Sequence, residues 1–294
     1  KALLAVPSFE ARLCRDAVAS YISYGYVPDT QCIFQNVRKV PPGHVTSLSL
    51  VDAIDKTQAF ETFSNLLDGG LTSRSPNRLE AFDHLETTLG QVVEEQMLSD
   101  VPLGCFLSGG VDSSLIASLM QSRSGQPIST FAIGFSESRF NEAPHAAAVA
   151  RHLKTDHTEF ILSEQDALGV VPDLQEIYDE PFADSSQIPT VLLCRKARKS
   201  VTVVLTGDGG DEVFGGYNRY VIGPKLLSRI QRVPRGLRRS VGRLVSACAP
   251  AITPENGWPR RFASRMRFPV TALDKAAKLA PHLSEINNLP ALYK

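Results

Sequence analysis

The chain has 294 residues, 43% of them hydrophobic and 21% charged, which is typical of a globular protein and excludes a disordered or fibrous chain. Lys plus Arg and Asp plus Glu both number 31, so the net charge does not indicate a nucleic-acid or membrane partner. The five cysteines form no CxxC pair and the six histidines no metal-binding motif, which argues against a disulfide framework and a structural zinc site. We expect a cytoplasmic protein without a membrane span or signal segment.

The N-terminal region is predicted to be small and rich in β-structure. Residues 20–50 carry short runs of Tyr, Ile, Val and Phe interrupted by VPDT and PPGH, a pattern typical of hairpins. Cys14 and Cys32 in this region are interpreted as packing residues. Residues 69–78, GGLTSRSPNR, are rich in Gly, Ser, Asn and Pro and predict a linker. The sequence therefore predicts a domain boundary between residues 68 and 69.

After this linker, predicted strands alternate with predicted helices. Apolar residues recur at helical spacing from Leu79 to Met97. The elements that follow are a strand at 101–107, a helix at 112–121, a strand at 128–135, a helix at 141–153, a strand at 157–162, helices at 164–178 and 188–199, and a strand at 201–206. This alternation predicts an α/β fold, a parallel sheet flanked by helices with ligand sites beyond the carboxyl ends of its strands.

The stretch SGGVDSS, residues 108–114, follows the first of these strands and begins a helix. Glycines let the backbone approach a ligand closely and adopt a positive φ. The first amides of a helix have no internal partners and attract an anion. The stretch is neither a Walker A loop nor a GxGxxG fingerprint. We expect it to bind a phosphate; a tight turn with Asp112 or Ser108 as a helix cap is the alternative.

The last predicted strand ends in a second glycine-rich loop, TGDGGDEVFGGY, residues 206–217. Its acids Asp208, Asp211 and Glu212 would repel one another and any phosphate. A divalent cation removes this conflict because Mg²⁺ binds carboxylate and phosphate oxygens together. We therefore expect Asp112 and Asp211 to share Mg²⁺ with the bound phosphates; solvated loop acids or caps are the alternative.

SGGVDSS resembles the pyrophosphate loop (PP-loop) of the ATP pyrophosphatases, which split ATP between its α and β phosphates. Together with FAIGF at 131–135, YDEPFADSSQIPT at 178–190 and the second loop, it resembles the synthetase domain of the glutamine-hydrolysing asparagine synthetase family. The resemblance also covers residues 1–50, which look like the end of the family's glutaminase domain. It implies an adenine nucleotide α-hydrolase-like sheet at 69–294, expected to be truncated at its C-terminus, preceded at 1–68 by a β-rich remnant of an amidotransferase domain and a linker.

The resemblance also implies a role for individual residues. Adenosine is expected near Leu107, Ile133, Thr206 and Gly207. Pyrophosphate is expected on Ser108, Gly109, Gly110, Asp112 and Ser113. The implied catalytic residues are Asp208, Asp112 and Asp211, and Asp208 stands where the family often has a glutamate that handles the acceptor or ammonia. The residues implied to face the intermediate are Asp179, Glu180, Asp184 and Ser185; the alternative is a turn and helix start with Asp184 or Ser185 as the cap.

The implied reaction is the ATP-dependent amidation of aspartate to asparagine through an aspartyl-AMP intermediate, with release of AMP and pyrophosphate. Ammonia is normally supplied from glutamine by a domain that is mostly absent here. The chain opens with Lys1 rather than the family's cysteine nucleophile, so we do not expect it to hydrolyse glutamine. The family's late Lys and Arg are also unmatched, which leaves the activity of the fragment open.

Four other functions stay open at this point. PP-loop enzymes also act on other carboxylates, close β-lactams, or modify tRNA. The fourth alternative is a module that only binds nucleotide. Residues 219–267 contain twelve Lys or Arg and one acid, a basic stripe typical of nucleic-acid binding. A solvated pair of amphipathic helices explains this stretch better. The expected partners are therefore small molecules, namely aspartate, ATP and ammonia, and a homodimer is allowed for.

Overall fold

The computed structural model describes residues 1–49, 55–72, 77–135 and 141–252. The chain divides into two compact units, Lys1–Asp208 and Gly209–Lys294. The boundary predicted from the linker composition, between residues 68 and 69, stays a prediction. Among the described residues, no helix has both the length and the apolar character needed to cross a bilayer.

The N-terminal part of the first unit is less β-rich than predicted. Its first α-helix is α1, Arg15–Tyr24, so residues 20–24 are helical rather than extended. The helix forms because Ala17 and Tyr21, one turn apart, pack on the same small core as Val27 and Ile33. Cys14 and Cys32 pack against this core too, as predicted. The only strands described here are an antiparallel pair, β1 (His44–Leu48) and β2 (Asp55–Ala59).

The predicted linker begins inside a helix. Helix α2 covers Phe63–Thr72 and therefore includes Gly69 and Gly70. Thr62 lies directly before the helix, and its hydroxyl accepts a hydrogen bond from the Asn65 amide at 3.2 Å. Leucines, which favour helix formation, follow in the sequence. Residues 73–76 lie outside the described residues, and Asn77 caps the next helix, α3, at Arg78–Gln96.

The predicted parallel sheet is confirmed. It contains β3 (Leu103–Phe106), β4 (Ser129–Phe135), β5 (Asp156–Leu162) and β6 (Val203–Leu205), in the spatial order β5-β4-β3-β6 with every pair parallel. The helices between them are α4 (Val111–Arg123), α5 (Ala143–Leu153), α6 (Glu164–Val170), α7 (Leu174–Ile177) and α8 (Gln187–Ala197). The helix predicted at 164–178 is interrupted by a 3-10 turn that contains Pro172.

Helices cover both faces of the sheet. On one face Ala132 of β4 packs with residues of α3, α4 and α5, including Val93, Met120 and Ala146. On the other face Ile133, the next residue of β4, packs with Leu162, Val191 and further residues of α6 and α8. Neighbouring residues of a strand point to opposite faces, so the two cores lie on opposite sides. This arrangement leaves the carboxyl ends of the strands as the edge at which loops gather.

The second unit is helical where the structure describes it. Its helices are α9 (Gly210–Phe214), α10 (Asn218–Gln231) and α11 (Arg235–Ile252). Helices α10 and α11 confirm that the basic stretch is helical as far as Ile252, while Leu237 and Leu244 of α11 are 57% and 68% exposed rather than directed inward. The rest of that stretch, from residue 253 to 267, lies outside the described residues.

Candidate active site

The first glycine-rich loop leaves the sheet at the carboxyl end of β3. Leu107 is 1% exposed, and its amide donates to the Phe131 carbonyl oxygen at 2.9 Å, so the loop starts from a fixed point in the core. Gly109 follows with φ +79°, and a Cβ atom added to it would lie 2.6 Å from the Ala146 amide nitrogen at the start of α5. Only glycine combines this dihedral with this close approach.

Helix α4 begins at the end of this loop with its first amides exposed. Its N-cap is Gly110, and among the described residues no side chain caps it. The Ser108 and Ser113 hydroxyls hydrogen bond to each other at 2.9 Å, and the Ser108 hydroxyl accepts from the Gly110 amide at 3.2 Å. The alternative prediction, a helix cap by Asp112 or Ser108, is therefore wrong. The hydroxyls fix the loop, and the uncapped helix N-terminus favours an anion.

The second loop meets the first at Gly207. A Cβ atom added to Gly207 would lie 2.6 Å from the Ser113 amide nitrogen and 2.8 Å from the Asp112 carbonyl carbon. The contact is possible because β3 and β6 are neighbours, with Leu103 opposite Val203. The predicted meeting of the two loops at one edge is thus confirmed for Gly207, Asp112 and Ser113.

The two carboxylates at this edge differ in what holds them. Asp208 accepts a hydrogen bond from the Thr206 hydroxyl at 3.0 Å and is exposed to solvent. The half-buried Asp112 has no hydrogen bond or ion pair with any described residue. A lone carboxylate beside a helix N-terminus fits Mg²⁺, which usually takes one or two protein carboxylates and completes its shell with phosphate and water. Among the described residues, no cluster of three or more metal-ligating side chains occurs.

The predicted adenosine residues are differently exposed. The Leu107 side chain belongs to the core on the α4 side of the sheet. Ile133 is half-buried near the carboxyl end of β4 and packs with Tyr178 and Ile188 on the opposite face. Thr206 and Gly207 lie at the end of β6.

The segment 178–186, here called the acidic segment, has its carboxylates largely engaged. Glu180 accepts a hydrogen bond from the Ile33 amide at 2.7 Å and pairs with the Lys39 ammonium at 2.5 Å. Burial alone would raise the pKa of Glu180, but the hydrogen bonds from Lys39 and Ile33 outweigh it and lower that pKa. Asp184 accepts from the Ser186 amide at 2.8 Å, which lowers the pKa of Asp184.

Asp184 therefore forms the turn before α8 that the alternative interpretation predicted. The predicted cap by Asp184 or Ser185 is wrong, because the N-cap of α8 is Ser186 and no described side chain caps the helix. Ser185 and Asp179 are exposed, and Asp179 lies 3.2 Å from the backbone amino group of Lys1. Of the four residues predicted to face an intermediate, Asp179, Asp184 and Ser185 are exposed and Glu180 is half-buried.

Asp211 and Glu212 belong to the second unit, in α9. Gly209 and Gly215, at φ +91° and +66°, bracket this short helix. The Tyr217 hydroxyl donates to the Glu212 carboxylate. The sharing of a cation by Asp112 and Asp211 stays a prediction from the sequence.

Sequence reasoning missed several residues that shape this edge. The start of α5, at His145 and Ala146, contacts Gly109, and Pro144 in the first turn of α5 is the sequence signal that was available for it. Lys39 and Ile33 hold Glu180 from a distant part of the sequence, and no local pattern marks them.

Comparisons with known proteins point in one direction. A family model described as asparagine synthase matches residues 84–285. A putative glutamine-hydrolyzing asparagine synthetase 2 of Methanocaldococcus jannaschii is 31% identical over 100% of this chain and 55% of its own length. The glutamine-hydrolyzing asparagine synthetase 1 of Bacillus subtilis is 30% identical over 80% of this chain and 36% of its own length. The chain thus spans about half, or less, of the length of these relatives.

A solved structure is similar at a much lower level. The NH3-dependent NAD synthetase from Campylobacter jejuni has 14% identity and a TM-score of 0.34, over 46% of this chain and 60% of that chain. This similarity is too weak to support a conclusion about the site.

Proposed function

The chain belongs to the asparagine synthase family, and from that premise we propose that it carries out the ATP-dependent amidation of aspartate to asparagine. Aspartyl-AMP is the intermediate, and AMP and pyrophosphate are released. Ammonia comes from glutamine, as the names of the longer relatives say of those proteins. The observation that carries the proposal is the contact of Gly207 with the first turn of α4. It brings the two glycine-rich loops together at the carboxyl ends of the strands, where a nucleotide can contact both.

The pyrophosphate part of ATP binds the first loop. Gly109 and Gly110 present backbone rather than side chains, and the exposed amides at the start of α4 complement the phosphate charge. The serines that hydrogen bond across the loop, Ser108 and Ser113, keep these amides in position before the ligand arrives. The adenosine lies beside Thr206, Gly207, Ile133 and the backbone of Leu107.

Asp112 is the residue most suited to hold Mg²⁺, since its carboxylate has no other partner among the described residues. Asp211 as the second carboxylate is taken from the sequence alone. The cation supplies charge compensation for the triphosphate.

The residues of the chain act mainly by positioning. The aspartate carboxylate attacks the α-phosphorus of ATP, and the bond to the pyrophosphate oxygen breaks as pyrophosphate leaves along the loop amides. Ammonia then attacks the acyl carbon, AMP leaves, and a proton is lost from the nitrogen. Asp208 is held at one oxygen by Thr206 and keeps the other oxygen for the attacking amine or its proton. Burial raises the pKa of Cys105 to about 12, so this thiol in β3 takes no part as a nucleophile at neutral pH.

The test is pyrophosphate exchange into ATP by the full-length protein, with Mg²⁺ and either aspartate or another carboxylate. Exchange that depends on aspartate supports the proposal. Exchange that instead depends on another carboxylate, such as a β-amino acid, moves the assignment to a different PP-loop ligase. Nucleotide binding without any acceptor-dependent exchange leaves a binding module. A cytoplasmic location and a homodimer are further predictions from the sequence, checked by fractionation and by sedimentation.

A further inference from the structure

The acidic segment, 178–186, lies at the same edge of the sheet as the nucleotide loops. Helix α8 follows it and leads back to β6, so the start of α8 is at the carboxyl ends of the parallel strands. Tyr178 and Ile188, at the two ends of this region, pack in one cluster with Ile133 and Phe135 near the end of β4. The sheet therefore fixes this segment on one side.

The N-terminal segment fixes it on the other side. Both carboxylate oxygens of Glu180 are used, one by the Ile33 amide at 2.7 Å and the other by the Lys39 ammonium at 2.5 Å. The Ala183 amide donates to the Gly25 carbonyl oxygen at 2.6 Å. Three short polar contacts thus join the acidic segment to residues 25–39.

The ion pair between Lys39 and Glu180 is partly buried and is attached to a packed core. The side chains of Lys39 and Glu180 are 28% and 21% exposed, so water screens them less than a surface pair. Lys39 also donates to the Val27 carbonyl oxygen at 3.1 Å, and Val27 belongs to the small N-terminal core. The pair therefore connects a packed core, not a free side chain, to the acidic segment.

We propose that Glu180 is a positioning residue for the acceptor rather than a ligand to it. Through Lys39 and the Ile33 amide it ties the acidic segment to residues 25–39, so that the placement of Asp179 and Ser185 depends on the N-terminal segment. This inference rests on the proposed function for the identity of the acceptor, aspartate.

The test uses the full-length protein with Glu180→Gln, Lys39→Met and the double variant. Each single change raises the KM for aspartate in the exchange assay about tenfold, and the double variant is no worse than the singles, because both remove the same contact. The KM for ATP changes less than about twofold, since the nucleotide loops are untouched. Lys39→Arg keeps the charge and stays within about twofold of the parent.

Arg195→Gln is the matched control, because it breaks an ion pair with Asp173 at 2.8 Å that is about half exposed. It leaves both KM values unchanged. Hydrogen exchange of peptides covering 178–186 rises in the Glu180 and Lys39 variants and not in the control, whatever the acceptor is.

Three outcomes overturn the inference. The first two are an unchanged KM for aspartate while the parent shows pyrophosphate exchange, and KM values for aspartate and ATP that rise together. Unaltered hydrogen exchange of 178–186 overturns it even if the parent lacks aspartate-dependent exchange. A parent that lacks aspartate-dependent pyrophosphate exchange counts against the proposed function. It does not count against the proposed link between Glu180 and residues 25–39.

Discussion

The glycine-rich loops and the acidic segment both lie at the carboxyl ends of the strands, and their acidic side chains have different partners. In the glycine loops the backbone of Gly207 approaches α4 so closely that no side chain fits, and the Asp112 carboxylate has no partner among the described residues. In the acidic segment the backbone is ordinary, and Glu180 and Asp184 are bound to groups of the protein itself. An acid that keeps a free oxygen, such as Asp112 or Asp208, is available for a ligand or a metal, whereas an acid with both oxygens bound, such as Glu180, is part of the scaffold.

The sharpest test of this comparison is Asp112→Asn. Because the amide cannot replace the carboxylate as a ligand to Mg²⁺, we expect activity to fall by about 10²–10³. The melting temperature should stay the same, because the carboxylate has no described partner to lose. Steady-state kinetics and thermal melts measure the two effects. Asp83→Asn, at an exposed position of α3, is the control and should change neither. A large drop in melting temperature in Asp112→Asn would show that this acid is structural after all.

Gly207→Val tests the close approach of the two loops. The new side chain would meet backbone atoms of Asp112 and Ser113, which have no room to move, so we expect a loss of about 1–3 kcal/mol in the free energy of unfolding and a loss of ATP binding. Denaturant unfolding and nucleotide titration measure these effects. Gly125→Val is the matched control, since nothing lies within 4 Å of a Cβ atom there. Normal ATP affinity in Gly207→Val would contradict the geometry of the edge.

Asp184 tests the scaffold side of the comparison. Asp184→Asn keeps an oxygen for the Ser186 amide and should leave both activity and stability close to the parent. Asp184→Ala loses that bond and should cost about 0.5 kcal/mol at this exposed position. Urea unfolding and the exchange assay check the pair. If Asp184→Asn were inactive but stable, the carboxylate would be a ligand to the substrate, as the family resemblance implied.

The sequence predicted the parts of this site that depend on local pattern. Alternating apolar strands and helices predicted β3, α4 and β4, and strand adjacency predicted that the loops at Asp112 and Gly207 meet. It failed at residues 20–24, where aromatic and β-branched residues favour a strand but packing on Val27 and Ile33 favours a helix.

It could not show the partners of Glu180, because the Ile33 amide that donates to this carboxylate is 147 positions away in the sequence. A motif shows which residue types occur together, but not which of them the rest of the chain has already paired. That information exists only in the tertiary structure.

The smallest expected effect concerns His157 in β5, which is an outer strand of the sheet. Its Nδ1 lies 2.9 Å from the buried Thr130 hydroxyl, and its Nε2 is buried without a partner among the described residues. Burial lowers the pKa of His157 below 6.5, while Glu159 acts weakly in the other direction. The unfolded chain therefore binds a proton more readily than the folded one, so stability is full above pH 6.5 and is lost as the pH falls through the interval below it. Urea unfolding at pH 7.5 and 5.5 should show a smaller difference in His157→Asn than in the parent, and Thr158→Asn, at the exposed neighbouring position, should behave like the parent. An equal difference in His157→Asn would mean that this histidine, like the acids of the acidic segment, has a partner that stabilises its charged form.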